Sequence, residues 1–282
     1  MKFFISFDYE GVSSSVSWKG MDGGRTNEEY LRSALADINA VIDAVAERFP
    51  RYTEILVCDS HSFGENLPFE FSRPRVALIR GFPRRYYMMH GLDKTYSGVF
   101  LIGYHAPAGE GYSLMDHTYS SSAIFEAKVN GHICGESEIN ALLAGYYGVP
   151  VLLITGDDGL KKHSARTFSE FGTEVLSLKK GISRFAGKLA EPAAVRSAVF
   201  RAAKKSLGCL DKVKPFMMKK PFILELTLLD TLRADMCESI PGFRRTGGRT
   251  IMFKAVDALE LYDALMSCVY VCMAARNILE RK

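Results

Sequence analysis

The sequence predicts an α/β protein with a mostly parallel sheet and flanking helices. Short apolar runs of strand-forming residues alternate along the chain with amphipathic helical segments, the pattern of a parallel sheet covered by helices. Each run is too short for a buried helix and ends at a turn signal, which favours buried strands. The 282 residues are 48% hydrophobic and 24% charged, as in an ordinary globular protein with a sizeable core.

The first strand follows the N-terminal Met and ends where Phe7 meets Asp8. A polar, glycine-containing loop then extends through Gly24. The first helix is expected to begin near Thr26 and to end near Phe49, because its apolar residues recur at helical spacing and Pro50 follows. Short apolar runs predict further strands, and a short helix follows the second of them. The strands are expected at residues 54–58, 75–79 and 97–103, and the short helix at 88–91.

The middle of the chain contains a strong hairpin signal. Asn130 and Gly131 separate two strand-like segments, residues 123–129 and 132–134, and this dipeptide favours a tight two-residue turn. Gly135 and Glu136 then open a helix that Gly148 and Pro150 close. A strand from residue 149 to residue 155 follows.

The last third predicts a second, smaller α/β portion. Its strands are expected at residues 174–178, 222–228 and 250–254, and its helices at 192–206 and 258–278. The polar strand ends stop near residue 160. We therefore expect a metal-binding catalytic domain over residues 1–160 and a smaller, oligomer-forming domain over residues 161–282.

Charge and composition narrow the classes of partner. The net charge of +4 is mild, and no Lys/Arg cluster is interleaved with aromatic residues, so no nucleic-acid partner is expected. No stretch is expected to span a membrane, because none approaches the roughly 18 to 20 apolar residues that a span needs. The N-terminal apolar run is too short for a signal peptide. Six scattered cysteines without a CxxC pair indicate reduced thiols and a cytoplasmic protein.

Potential metal ligands follow three of the predicted strands. Asp8 and Glu10 follow the first, and residues two apart in an extended chain point to the same side. His61 and His105 follow two others, and ligands of parallel sheets bind beyond the carboxyl ends of the strands. Each residue alone fits a capping or structural role. Together they suit zinc, or less specifically manganese or cobalt, and a carboxylate can bridge two ions about 3.5 to 4 Å apart.

The order of local motifs resembles one known family. The motifs are Asp8-x-Glu10-Gly11, Asp59-Ser60-His61-Ser62, Gly103-Tyr104-His105-Ala106, Met115-x-His117 and Gly135-Glu136. In this order they resemble the dinuclear zinc D-aminopeptidases, and the likeness continues through Gly156-Asp157-Asp158 to Thr246-Gly247. Asp116 and the loop from Pro107 to Leu114 depart from the family pattern at positions that would shape the substrate pocket.

The resemblance implies a set of roles. The ligands of two zinc ions would be Asp8, Glu10, His61, His105 and Glu136, with Asp8 as the bridge. Glu136, taken alone, would equally fit a helix N-terminus, where a carboxylate favours the helix dipole. His117 would be the catalytic residue, whose counterpart in the family is described as a nucleophile. The family also implies a decameric ring whose active sites face an inner channel.

These observations predict a zinc aminopeptidase that removes the N-terminal residue, possibly a D-residue, from small peptides. Water activated by the metal pair would attack the peptide carbonyl. On chemical grounds we favour His117 as general acid or base over a covalent adduct, although the sequence leaves both open. One alternative is a metal-dependent hydrolase of cyclic amides or phosphoesters, but the strand ends carry no Arg or Lys clamp. A non-catalytic peptide-binding protein would be expected to carry an export signal.

Overall fold

The computed structural model describes residues 1–21, 27–50 and 53–279. Within these ranges lie two β-sheets and six α-helices. The strands are β1 (Lys2–Phe7), β2 (Glu54–Asp59), β3 (Val76–Ile79), β4 (Gly98–Ile102), β5 (Ile124–Val129), β6 (His132–Ile133), β7 (Val151–Asp157), β8 (Glu174–Ser183), β9 (Ala186–Leu189), β10 (Phe222–Leu228), β11 (Arg244–Arg245) and β12 (Thr250–Ala255). The helices are α1 (Glu28–Arg48), α2 (Glu136–Tyr146), α3 (Asp158–Phe168), α4 (Pro192–Gly208), α5 (Thr231–Glu238) and α6 (Ala258–Leu279).

The larger sheet confirms the predicted mostly parallel architecture. Its seven strands, counted over the described residues, run in the order β3-β2-β1-β4-β7-β8-β9. All neighbours are parallel except β8 and β9, which form an antiparallel pair. The chain builds outward from β1 through β2 to β3 and then returns to β4 on the other side of β1. The crevice at such a reversal is where open α/β sheets bind ligands.

Alternating side chains of β1 supply two different cores. Phe3, Ile5 and Phe7 point to one face of the sheet and pack in the core that contains α1 and α4. Phe4 points to the opposite face, into the core shared with α2, α6 and the second sheet. All four side chains are fully buried, as expected of a strand covered on both faces. Apart from Ser6, the buried residues of β1 are apolar, and the polar residues begin at Asp8.

The smaller sheet is antiparallel and has the order β11-β12-β10-β5-β6. The predicted hairpin is confirmed: β5 pairs with β6, and Asn130 and Gly131 both have positive φ, 52° and 79°. These left-handed conformations are the ones that Asn-Gly favours in a two-residue turn. The hairpin thus belongs to the second sheet.

The two sheets interleave along the sequence. Strands β8 and β9 lie after residue 160 but extend the larger sheet, whereas β5 and β6 lie before it and extend the smaller one. The sheets are therefore not divided at residue 160. The assignment of residues 1–160 and 161–282 to two domains stays a prediction about folding units.

Some element boundaries differ from the sequence-based expectation. Strand β7 continues to Asp157, two residues beyond the predicted end at residue 155, and α3 begins at the next residue. Asp157 ends the strand and also caps the helix, because its Oδ1 accepts the Leu160 N–H at 2.8 Å. No bounds were predicted for helices α3 and α5. Thr26 and residues 22–24 of the predicted loop lie outside the described ranges.

Helix α6 corrects the expectation that no segment has the character of a membrane span. Its Ala258–Ala275 window has mean hydropathy 1.4, which satisfies the length and composition of such a span. A search for an unbroken apolar run misses it because Glu260 and Asp263 interrupt the sequence. Within the fold, 56% of this window is buried, and the helix packs against α2, α5, β10 and β12. The apolar residues of α6 therefore serve the core.

Candidate metal centre

Three adjacent strands bring the predicted ligands to one edge of the larger sheet. Because β1 lies between β2 and β4, residues that follow these strands emerge side by side. Asp8 directly follows β1, while His61 and His105 follow β2 and β4. Glu136 is the first residue of α2, whose N-terminus faces the same edge. The structure thus brings all five predicted ligands together.

Two glycines allow the loops beyond β1 and β4 to touch. The Gly11 N–H donates to the Gly103 carbonyl at 2.7 Å. A Cβ on Gly11 would lie 1.9 Å from the Tyr104 carbonyl oxygen, and one on Gly103 would lie 2.1 Å from the Asp8 carbonyl oxygen. Gly103 also has a φ of 78°, which favours glycine. These glycines set the spacing between Asp8 and His105.

The first half of the cluster contains Asp8, Glu10 and His61. The His61 Nδ1 lies 2.9 Å from the Glu10 Oε2 and 3.3 Å from the Asp8 Oδ1. Both carboxylates are almost completely buried, with 3% and 2% of their surface exposed. Two buried anions around one imidazole nitrogen form a strong cation site.

The second half contains His105 and Glu136 and shares Asp8 with the first. The His105 Nε2 lies 3.4 Å from the Asp8 Oδ2 and 3.2 Å from the Glu136 Oε1. The two oxygens of Asp8 therefore face different imidazoles, Oδ1 towards His61 and Oδ2 towards His105. A carboxylate in this position has the geometry of a bridge between two cations.

An orphaned nitrogen indicates what the cluster is built to hold. The His105 Nδ1 lies 3.0 Å from the Ala106 carbonyl oxygen, to which it donates. In the neutral ring the Nε2 then carries a lone pair, and this buried atom makes no hydrogen bond. This lone pair faces the carboxylates of Asp8 and Glu136, so a cation is required between the nitrogen and the two carboxylates. The set of carboxylates and imidazoles is one that zinc accepts, so the residues fit the metal.

His117 lies directly beside this second half. Its ring stacks on that of His105, and its Nδ1 donates to the Met115 carbonyl oxygen at 2.9 Å. Its Nε2 lies 3.7 Å from the Glu136 Oε1 and 3.9 Å from the Glu10 Oε1. His105, His117 and Glu136 also offer atoms close enough to one another to hold an ion. The structure therefore places His117 at the metal cluster.

Burial and close charges set the protonation states of the cluster. Burial and the neighbouring Glu10 raise the pKa of Asp8. Burial would also raise the pKa of Glu10, but His61 outweighs it and holds that pKa well below its usual value. Burial likewise opposes the protonation of His61 and His105, yet the carboxylates raise both pKa values well above normal. Protons and metal ions therefore compete for the same positions.

Several residues that orient the ligands were not identified from the sequence as functional. The Trp18 indole N–H donates to the Glu10 Oε1 at 2.8 Å, and the Tyr119 backbone N–H donates to the Glu136 Oε1 at 2.6 Å. Such outer contacts fix ligand orientation and tune metal affinity. The one available signal was that Trp18, the only tryptophan, lies in the loop after Glu10.

A buried lysine supports the loop that carries Glu10. The Lys179 Nζ donates to the carbonyl oxygens of Glu10, Val12 and Ser15 at 2.6, 2.7 and 2.5 Å. Only 4% of Lys179 is exposed. A buried ammonium with three carbonyl acceptors satisfies its donors and holds the loop in one conformation. Lys179 lies on β8, far along the chain, and no local pattern marks it.

Two cavities meet at His117. The larger, of about 770 Å³, is lined by Asp8, Glu10, His61 and Glu136 on one side. The smaller, of about 340 Å³, is bounded by the loop that begins at Pro107 and by Arg184. His117 lines both cavities. The cluster is therefore reachable from a space large enough for a small peptide.

The remaining histidines and acidic candidates lie outside the cluster. The Glu138 Oε2 accepts the Gly135 N–H at 2.9 Å and caps α2, while the His163 Nε2 lies 3.6 Å from the Glu138 Oε1. Asp157 accepts the N–H groups of Leu114 and Leu160. These contacts give Glu138 and Asp157 structural roles.

Known proteins match this chain over nearly its full length. The model of the M55 peptidase family, described as D-aminopeptidase, matches residues 1–267. A D-aminopeptidase of Bacillus subtilis (strain 168) is 34% identical over 278 residues, covering 97% of this chain and 98% of the relative. The solved structure of the Zn-dependent D-aminopeptidase DppA from Bacillus subtilis, described as a self-compartmentalizing protease, is 32% identical. It superposes with a TM-score of 0.90 over 97% of this chain and 98% of that one.

Proposed function

Since this chain belongs to the M55 family of D-aminopeptidases, we propose that it is a zinc-dependent aminopeptidase that removes an N-terminal D-residue from small peptides. The observation that carries this conclusion is the shared Asp8 carboxylate, whose two oxygens face two buried imidazoles. Each half of the cluster adds one further carboxylate, Glu10 or Glu136. This arrangement suits two zinc ions.

We assign the ligands by these two halves. Asp8, Glu10 and His61 would hold one ion, and Asp8, His105 and Glu136 the other. Bound zinc supplies Lewis acidity, which lowers the pKa of water and polarises a peptide carbonyl. The protein residues supply the remaining functions: they orient the substrate, exclude bulk water and move protons.

His117 is the residue best placed to move a proton. Burial and the stacked His105 lower its pKa, so the ring is neutral near neutral pH. Its Nδ1–H is held by the Met115 carbonyl, which leaves the Nε2 lone pair directed at the cluster. The Nε2 can accept a proton from the attacking water and return it to the leaving amine.

The cavity favours a peptide over a phosphoester. Among the described residues that line the larger cavity, none is a lysine or arginine. Phosphoryl groups are usually held by such cations, arginine especially.

The assembly and the compartment are further parts of this proposal. The description of the solved relative as self-compartmentalizing supports a homo-oligomer, and we assign a decameric ring with the active sites facing its interior. The six cysteines are all unpaired, and five of them are buried, which supports a reducing compartment such as the cytoplasm. Sedimentation of the purified protein would measure the assembly size.

One combined experiment tests the chemistry. Purified protein is analysed for metal content and then assayed on pairs of D- and L-aminoacyl dipeptides, with and without chelator. We expect two zinc ions per subunit and chelator-sensitive cleavage of the D-substrates. Cleavage that persists in metal-free protein would contradict the proposal, as would activity on phosphoesters alone.

A further inference from the structure

The larger cavity has an apolar wall as well as its metal-binding residues. Helix α6 contributes Met266, Tyr270 and Met273 to this wall, at a spacing that places them along one helix face. Phe63, which follows β2, and Phe82, which follows β3, complete it. We call these five residues the apolar wall. None of these five side chains has so far been given a role at the metal cluster.

The apolar wall is an ordered surface. The Phe82 ring centroid lies 5.6 Å from that of Phe63 and 5.6 Å from that of Tyr270, both in edge-to-face geometry. Phe82 also packs edge-to-face on Tyr87, whose hydroxyl donates to the Ser62 carbonyl oxygen at 2.7 Å. Ser62 is the neighbour of His61. The wall is thus tied to a residue of the metal cluster and keeps a fixed position relative to it.

Parts of the apolar wall remain open to the cavity. Phe63 is 57% exposed and Met273 is 42% exposed, although both are large and apolar. Covering such surface is favourable by about 25 cal/mol per Å². Exposed apolar surface inside a cavity that also contains the reactive cluster fits a ligand with an apolar group.

The position of His117 indicates which residue of a bound peptide contacts the apolar wall. If His117 returns a proton to the leaving amine, the scissile nitrogen lies beside it. The leaving portion then extends towards the smaller cavity, which His117 also lines. The N-terminal residue lies on the side of Asp8 and Glu10, in the larger cavity that contains the apolar wall.

We propose that the apolar wall is the subsite for the side chain of the N-terminal residue, and that the enzyme selects large apolar residues there. Aromatic and long aliphatic side chains would be preferred over alanine, because they cover Phe63 and Met273. Charged side chains would be disfavoured, since none of the five wall residues carries a charge to pair with them. This inference rests on the proposed aminopeptidase function.

The test is a substrate series with the zinc-loaded full-length protein. Dipeptides X-Gly are compared with X as Ala, Leu, Phe, Met, Lys and Glu, each in D and L forms. In the productive stereochemical series we expect kcat/KM for Phe or Leu to exceed that for Ala by at least roughly tenfold, since one methylene can be worth 10- to 200-fold. Lys and Glu should fall below Ala.

Two variants and a control locate the effect. Phe63→Ala and Met273→Ala should each reduce the Phe-to-Ala ratio of kcat/KM by about tenfold. Both positions are exposed, so the fold should tolerate these changes. Phe69→Ala, a still more exposed phenylalanine outside both cavities, should leave the ratio unchanged.

Several results would overturn the subsite. A flat series, a preference for alanine, or ratios that neither variant changes would each contradict it. A preference for large residues in Gly-X rather than in X-Gly would place the wall on the leaving side. By contrast, absence of cleavage of every peptide would count against the aminopeptidase function itself.

Discussion

The imidazole rings of His105 and His117 stack with their centroids 3.9 Å apart and their planes 12° from parallel. Each ring is anchored through Nδ1 to a main-chain carbonyl, that of Ala106 or Met115. Two rings in such contact resist carrying positive charge together, and burial with the neighbouring His105 lowers the pKa of His117. The two histidines therefore have different roles. His105 faces the carboxylates, and His117 remains a neutral proton acceptor.

Replacement of His117 by alanine should remove catalysis while the metal stays bound. We expect kcat to fall by roughly 10²- to 10⁴-fold, the usual contribution of general acid–base catalysis. Steady-state kinetics and metal analysis on the same preparation measure both quantities. His132→Ala, an exposed histidine of β6 that lines neither cavity, serves as the control. A near-wild-type rate in His117→Ala would show that another group transfers the proton.

Replacement of His105 by alanine should lose metal as well as activity. His105 is the imidazole of the second half of the cluster, and Asp8 and Glu136 alone leave that ion with few ligands. We expect the zinc content to fall from two ions per subunit to one or none. His132→Ala, an exposed histidine of β6, should keep the full content. Two tightly bound ions in His105→Ala would rule out its role as a ligand.

Trp18 should report metal binding by its fluorescence. It is the only tryptophan, its indole N–H donates to Glu10, and its ring lies edge-on to His117 with the centroids 5.5 Å apart. Addition of zinc to metal-free protein should therefore change its emission in a saturable manner. Trp18→Phe should weaken zinc binding by about 10- to 100-fold, as loss of an orienting contact does. An affinity equal to wild type would mean that Glu10 is oriented without Trp18.

Replacement of Lys179 by methionine should destabilise the loop beneath the cluster. The carbonyls of Glu10, Val12 and Ser15 would lose their shared donor. The Ser15 hydroxyl and N–H still reach the Glu10 and Val12 carbonyls, so the Ser15 carbonyl loses most, and an unsatisfied buried acceptor costs about 1 to 3 kcal/mol. We expect the free energy of unfolding to fall by roughly 1 to 3 kcal/mol and zinc affinity to fall with it. Urea unfolding and zinc titration measure both. Lys180→Met, at the exposed neighbouring position, should change neither.

Asp37 should give the stability of the fold a specific pH dependence. Burial raises its pKa from 3.8 to about 6, although its carboxylate accepts the Ser13 backbone N–H at 2.9 Å. The folded state therefore binds the proton more tightly than the unfolded state. The contribution of Asp37 to the free energy of unfolding should fall as the pH rises from about 4 to about 6 and then stay low.

Asp37→Asn should remove this part of the pH dependence. At 1.36 kcal/mol per pKa unit, the full effect is about 3 kcal/mol, of which about 2 kcal/mol should be lost between pH 4 and pH 6 in the wild type relative to the variant. Asp43→Asn, an exposed position on the same helix, should retain the wild-type dependence. Parallel pH profiles for wild type and Asp37→Asn would contradict the shift.

Much of the fold could be predicted because its signals are local. An apolar run that stops at Asp8, a helical period ending before Pro50 and an Asn-Gly turn each reflect the preferences of a few neighbouring residues. The start of helix α3 could not be placed from the sequence, because Asp157 both ends β7 and caps the helix. Asp beside Gly suits a strand end and a helix cap equally well.

By itself the sequence determined which residue types follow each strand, and hence that carboxylates and imidazoles would stand at one edge of the sheet. Only the tertiary structure decided that β2 and β4 flank β1, that His117 stacks on His105, that Lys179 reaches under the Glu10 loop and that α6 walls the cavity. Strand and helix preferences act over a few residues, whereas strand pairing and side-chain packing can join residues as far apart in the chain as Glu10 and Lys179. Those contacts depend on the whole folded chain, so no local pattern contains them.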